Sequence, residues 1–122
     1  MEVSFDFNTK FRLRTQKFAV LIIKFYANDC KKTDELRVIG KQLLRSGTSV
    51  ASNFRAFTRG RSEAEKFSKL CIVVEEADET QFWFELIEEA ELINLSEFKN
   101  LKDEITELVK VFTALKNRMK NK

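Results

Sequence analysis

Arg45-Ser46-Gly47-Thr48-Ser49-Val50-Ala51-Ser52-Asn53-Phe54-Arg55 is a run of small and hydroxylated residues bracketed by two arginines. It is too polar for an ordinary core seam and too periodic for a loop. Leu36, Ile39, Leu43, Ser46 or Gly47, Val50, Phe54 and Phe57 carry a three-four alternation straight through it, with the small residues in the middle of the seam. A helical Gly costs about 1 kcal/mol relative to Ala, and Ser, Thr and Asn side chains compete for backbone hydrogen bonds. Two things could offset that cost: close approach of another helix, or a polar network that uses the hydroxyls and guanidiniums. The pattern predicts a helix over 34–58, opened by Thr33 or Asp34 and closed at Thr58-Arg59-Gly60-Arg61, where Gly60 suits a left-handed C-terminal position.

The flanking stretches repeat the alternation. Upstream, after a short extended arm, Asn8 or Thr9 is the expected cap of a helix over about 9–29, whose stripe is Phe11, Phe18, Leu21, Ile22 and Phe25. Downstream, Ser62-Glu63-Ala64-Glu65 is a capping box that opens a helix expected over 62–93. Its stripe is read as Phe67, Leu70, Cys71, Val74, Ala77, Gln81 and Phe84, which leaves Ile72, Val73, Phe82, Trp83, Leu86 and Ile87 elsewhere on the cylinder. A helix of a monomeric bundle buries an arc of about 100° or somewhat more. The excess apolar surface therefore implies a subunit contact, with Phe82, Trp83 and Leu86 as candidate oligomer-interface residues. Ser96 is the expected cap of a last helix over 96–120, where Phe98, Leu101, Ile105, Leu108, Phe112, Leu115 and Met119 repeat without a miss. Four long helices with short links imply an all-α fold: an antiparallel up-down-up-down four-helix bundle, one domain over 1–122.

Composition agrees. Three Gly, no Pro and 34% charged residues suit a nearly all-helical chain. Cys30 and Cys71 have no metal-ligand spacing and there is no His, so neither a metal nor another cofactor is expected. The longest apolar run, Phe18 to Ile23, is far short of the roughly 20 residues of a bilayer span. The early acidic residues exclude a secretory signal; a soluble, cytoplasmic protein is expected. The net charge of +3 is unevenly spread, since residues 1–70 hold 15 Lys and Arg against 7 Asp and Glu, and residues 71–122 hold 7 against 12.

Glu75-Glu76-Ala77-Asp78-Glu79 is the densest carboxylate run. Di-iron bundles need a Glu-x-x-His pair from two helices, and nothing in the chain supplies a nucleophile with a base, a phosphate loop or a dinucleotide glycine pattern. The chain is therefore read as a non-enzyme with no small-molecule substrate. The carboxylates are better used in bidentate pairs with guanidiniums, so a structural ion-pair network is expected among Arg45, Arg55, Glu75, Asp78 and Glu79. The candidate nucleic-acid-binding set is Lys10, Arg14, Lys17, Arg37, Lys41, Arg59, Arg61 and Lys66, which would contact phosphates without reading sequence. The alternative is a structural or protein-interaction scaffold with no direct nucleic-acid role.

Arg45-Ser46-Gly47-Thr48-Ser49-Val50, then Asn53-Phe54-Arg55, then Glu75-Glu76-Ala77-Asp78-Glu79-Thr80 with Trp83 resemble the bacterial four-helix-bundle proteins encoded in ribosomal-RNA intervening sequences. These are related to the accessory variability protein of diversity-generating retroelements. The resemblance covers nearly the whole chain. It implies a protomer that assembles into a ring-like homopentamer with a basic surface. For the retroelement branch it implies RNA or DNA binding and a reverse transcriptase partner. The chain departs from many relatives in having Ala56 where they carry Glu.

Overall fold

The computed structural model describes residues 5–121. It contains α1 (Phe5–Asp29), α2 (Asp34–Thr58), α3 (Glu63–Glu89) and α4 (Lys99–Lys120), with a short 3-10 turn at Leu95–Glu97; no strand occurs among the described residues. Each helix packs antiparallel on the next. Ile22 of α1 lies against Gly47 of α2, Ser46 of α2 against Thr80 of α3, and Phe84 of α3 against Phe98 just before α4. The chain is a four-helix bundle. Its thinnest seam is α1–α4, closed by Phe11 on Phe112 (5.7 Å) and Phe25 on Phe98 (6.4 Å).

Phenylalanine fills the core. Phe18, Phe54, Phe57, Phe84, Phe98 and Phe112 are almost wholly buried, each contributing on the order of 1.5–3 kcal/mol from removal of its side chain from water. The stripes of α2 and α4 face inward as their spacing requires, with Ile39 and Met119 only half-buried. On α1 Leu21 turns out to be exposed; Ala19 and Thr15 take the inward positions, and Thr15 satisfies its buried hydroxyl by donating to the Phe11 carbonyl at 2.7 Å.

The largest correction to the expected stripes is on α3. Its inward residues are Leu70, Val73, Ala77, Thr80, Phe84 and Ile87, while Phe67, Cys71, Val74 and Gln81 are half-buried. Val73 and Ile87 thus belong to the core. Apolar residues all round α3 left periodicity unable to orient it, and the Ser46–Thr80 contact with α2 sets its rotation.

Helix ends also differ from expectation. Helix α1 is already helical at Phe5, so Asn8 and Thr9 lie inside it and do not cap it. Phe7 packs on Phe11 at 4.6 Å and reaches Phe54 at 6.4 Å, anchoring that early turn. The expected arm before residue 5 lies outside the described residues. Thr33 caps α2 and Ser62 caps α3, each accepting from the N–H three residues on. Helix α3 stops at Glu89 because Glu91 adopts a left-handed conformation (φ 54°). The Leu92 and Glu91 amides then donate back to the Ile87 and Glu88 carbonyls, a Schellman closure made without glycine. Gly60 has no positive φ; its missing Cβ instead makes room for the Lys66 side chain. Ser96 lies within the 3-10 turn, whose cap is Asn94, and α4 starts at Lys99 with no side-chain cap.

Candidate nucleic-acid interface

The antiparallel fold redistributes charge along the bundle axis. The half built from the start of α1, the end of α2, the start of α3 and the end of α4 (residues 5–18, 49–74 and 107–121) holds thirteen Lys and Arg against four Asp and Glu, a formal +9. The opposite half (residues 19–48 and 75–106) holds eight against fourteen, or −6. A net charge of only +3 therefore hides a strongly basic end, and a concentrated field is what attracts a polyanion.

Of the expected cationic set, Lys10, Arg14, Lys17, Arg59, Arg61 and Lys66 are on the basic half, whereas Arg37 and Lys41 are not. Several are already engaged. Arg14 donates to Glu104 through Nε (2.7 Å) and Nη2 (2.8 Å), a bidentate pair across the α1–α4 seam that raises the guanidinium pKa further. Arg37 pairs with Asp34, and Lys66 reaches Glu63 at 3.7 Å. Lys10 lies 5.5 Å from the Phe11 ring centroid. Lys17, Arg59 and Arg61 are exposed and have no ion pair among the described residues.

Arg12, not singled out from the sequence, adds to this end. It shares with Arg55 a groove of about 260 Å³ between α1 and α2, lined also by Gln16, Thr48, Ala51 and Ser52. The groove continues toward Asn8, Thr9 and Thr58, where the Asn8 Oδ1 is buried without a hydrogen-bond partner. Thr48, Ser52 and Thr58 each donate their hydroxyl to a carbonyl of their own helix. These bonds satisfy the hydroxyl donors within the helix and offset part of its polarity.

The ion-pair network forms around Arg45. Its Nη2 donates to Glu79 and its Nη1 donates to Glu76 at 3.2 Å, while Trp83 Nε1 donates to the same Glu79 oxygen at 3.0 Å. The Arg45 guanidinium, and after it the Trp83 N–H, hold the Glu79 carboxyl below the usual range. Glu76 was not in the expected set. Arg55, Glu75 and Asp78 were in it, but all three are exposed and make no ion pair among the described residues. Behind the pair, the Thr80 hydroxyl donates to the Glu76 carbonyl and contacts the buried Ser46 hydroxyl, both at 2.8 Å. Trp83 and Leu86 are half-buried, and Phe82 is exposed beside Trp83, ring centroids 5.1 Å apart.

This bundle, with the arginine-bracketed small-residue helix paired to a Glu-Trp helix, can be set beside known proteins. A family model described as 23S rRNA-intervening sequence protein matches residues 8–114. The chain belongs to this family. It is similar, at 32% identity and a TM-score of 0.77, to the crystal structure of a protein of unknown function from the S23 ribosomal protein family of Bacteroides thetaiotaomicron VPI-5482. That likeness covers 90% of this chain and 97% of the other. No curated protein matches. The span matched by the 23S rRNA-intervening sequence protein model takes in Arg45 with both its carboxylates, Trp83, and the Arg12–Arg55 groove. No helix of the protein is long and apolar enough to cross a membrane among the described residues.

Sequence reasoning missed Glu76, Glu104 and Arg12 for different reasons. Glu76 is in the quoted carboxylate run, so only its rotation about α3 was hidden. Glu104 stands 90 residues from Arg14, and no local pattern links them. Arg12 sits off the apolar stripe and becomes notable only when Arg55 faces it.

Proposed function

We propose that this protein is a non-enzymatic, cytoplasmic, nucleic-acid-associated bundle that works as a homopentamer and holds RNA or DNA by its phosphates through the basic end. The observation that carries the reading is the +9 half of the bundle, in which the exposed Arg59 and Arg61 of the turn and Arg12 and Arg55 of the groove make no ion pair with a carboxylate among the described residues. The resemblance to the retroelement accessory protein supports both an association with nucleic acid and a reverse transcriptase as a further partner; the intervening-sequence branch implies a genomic location. Binding of this kind is salt-sensitive and indifferent to sequence.

A titration with RNA and with DNA at several salt concentrations tests it. Arg59→Ala/Arg61→Ala and Arg12→Ala/Arg55→Ala should each weaken binding and reduce the salt slope by about 1 per lost phosphate contact, whereas Lys41→Ala at the acidic end should change little. No binding at low salt, or binding indifferent to both pairs, would overturn the proposal. That outcome would favour a scaffold without a nucleic-acid role, a reading supported by the carboxylate partners that Arg14, Arg37, Arg45 and Lys66 already have. Pull-down of a reverse transcriptase encoded nearby tests the polymerase partnership.

A further inference from the structure

The outer faces of α1 and α3 are unpartnered and opposite in character. On α1, Leu13, Val20 and Ile23 are 53%, 43% and 49% exposed, at the seven- and three-residue spacing of a helix-packing stripe. Beside them Lys10, Lys17 and Lys24 recur every seven residues, all exposed. On α3, Phe82 is 47% exposed and stands at the centre of the outward face, with Glu75 and Glu89 one heptad to either side and Asp78 and Glu85 along its edge, all exposed. No ion pair is made by Lys17, Lys24 or any of these carboxylates among the described residues. The sequence had drawn attention to α3 alone; the structure exposes more apolar surface on α1.

Position sharpens the match. In this topology α1 and α3 occupy diagonal corners and run in the same direction, so their outer faces point away from each other. Ile22 lies against Gly47, and the adjacent Ser46 against Thr80, which puts Lys17 near the height of Glu75 and Lys24 near the height of Phe82. We infer that a second copy of this chain lays the outer face of its α3, Phe82 and the surrounding carboxylates, along the outer face of α1, with Leu13, Val20 and Ile23 covering the ring and Lys17 and Lys24 meeting the acids. The contact is heterologous: every copy has one face of each kind, so copies add head to tail, and matching heights keep successive copies level along the bundle axis. The inference rests on the self-association proposed above and assigns its two surfaces.

Light scattering on the full chain and two surface variants tests it. One variant is Leu13→Gln/Val20→Gln/Ile23→Gln, which disables the α1 face; the other is Glu75→Arg/Phe82→Arg, which disables the α3 face. Because these side chains are substantially exposed, both variants should keep the helical circular dichroism of the parent. The wild type should be a larger species and each variant alone a monomer. An equimolar mixture of the two should form a 1:1 dimer that grows no further, since it retains one good pair of faces; misfolding would not produce that recovery. A wild-type monomer would overturn the self-association itself. A wild-type oligomer unaffected by either variant, sensitivity to only one of them, or a mixture that stays monomeric would overturn the α1–α3 assignment alone.

Discussion

Against α1, helix α2 presents Gly40 and Gly47, and against α3 it presents Ser46 and Arg45. On the first flank the backbones come so close that a Cβ on Gly40 would stand 2.7 Å from the Cys30 Cβ and 2.8 Å from the Tyr26 ring, and one on Gly47 would stand 3.1 Å from Ile22. On the second, a buried hydroxyl pair is backed by a half-exposed ion pair. The first flank is held by shape and leaves no room for an added atom at Gly40; the second is held by polar complementarity and tolerates paired change. One helix thus uses both of the compensations its odd composition required.

The largest effect should come from the layer both flanks share: Phe54→Ala empties a fully buried position stacked on Phe112 and should destabilise by about 3–5 kcal/mol in denaturant unfolding. On the α1 flank, Gly40→Ala gains helix propensity but must displace Cys30 and Tyr26; the net loss should be about 1–2 kcal/mol. A stabilised Gly40→Ala would show that the flank is not close-packed. On the α3 flank, Thr80→Val should cost about 1 kcal/mol, because it leaves the Ser46 hydroxyl unpaired. Ser46→Ala/Thr80→Val together should cost less than the sum of the single changes, and strict additivity would break the account of the hydroxyl pair.

The smallest effect is the ion pair. Arg45→Ala should lose about 0.2–1 kcal/mol, since the guanidinium is half-exposed and screened. The pH dependence has a definite sign. The Glu79 carboxyl is held down in the folded state, so its contribution is complete above the ordinary Glu value of about 4.3 and is lost as pH falls through the lowered folded value. Thermal unfolding of the wild type and of Glu79→Gln should therefore differ at neutral pH and converge in acid. Thiol accessibility separates the flanks in another way. Burial pushes the Cys30 thiol up to about 11, so at pH 8 a maleimide should label the half-exposed Cys71 and reach Cys30 only on unfolding.

The helix count, the span of α2 and the cap at Ser62 were legible because each rests on residues within one turn of each other. The start of α2 was narrowed to Thr33 or Asp34, and the structure selects Thr33 as its cap. The rotation of α3 was not legible: with apolar residues on every side, Leu70, Cys71, Val73 and Val74 are equally good inward candidates until Ser46 selects Thr80. The end of α3 was missed because glycine is the usual signal for a left-handed closure, and here Glu91 serves. The candidate interface was half legible. Arg59 and Arg61 announce themselves on a turn between helices, whereas Arg12 gains its meaning from Arg55 across a groove.

By itself the sequence determined the class of fold and the unusual character of α2, because periodicity, capping and the cost of small polar residues in a helix are local matters. Tertiary structure alone decided which carboxylates Arg45 and Arg14 meet, and how charge is shared between the ends. Along the chain the basic residues lie mainly in the first half; folding four antiparallel helices brings the start of α1 beside the end of α4 and turns that bias into a basic end and an acidic end. Charges act through distance in space, and only the antiparallel packing sets those distances.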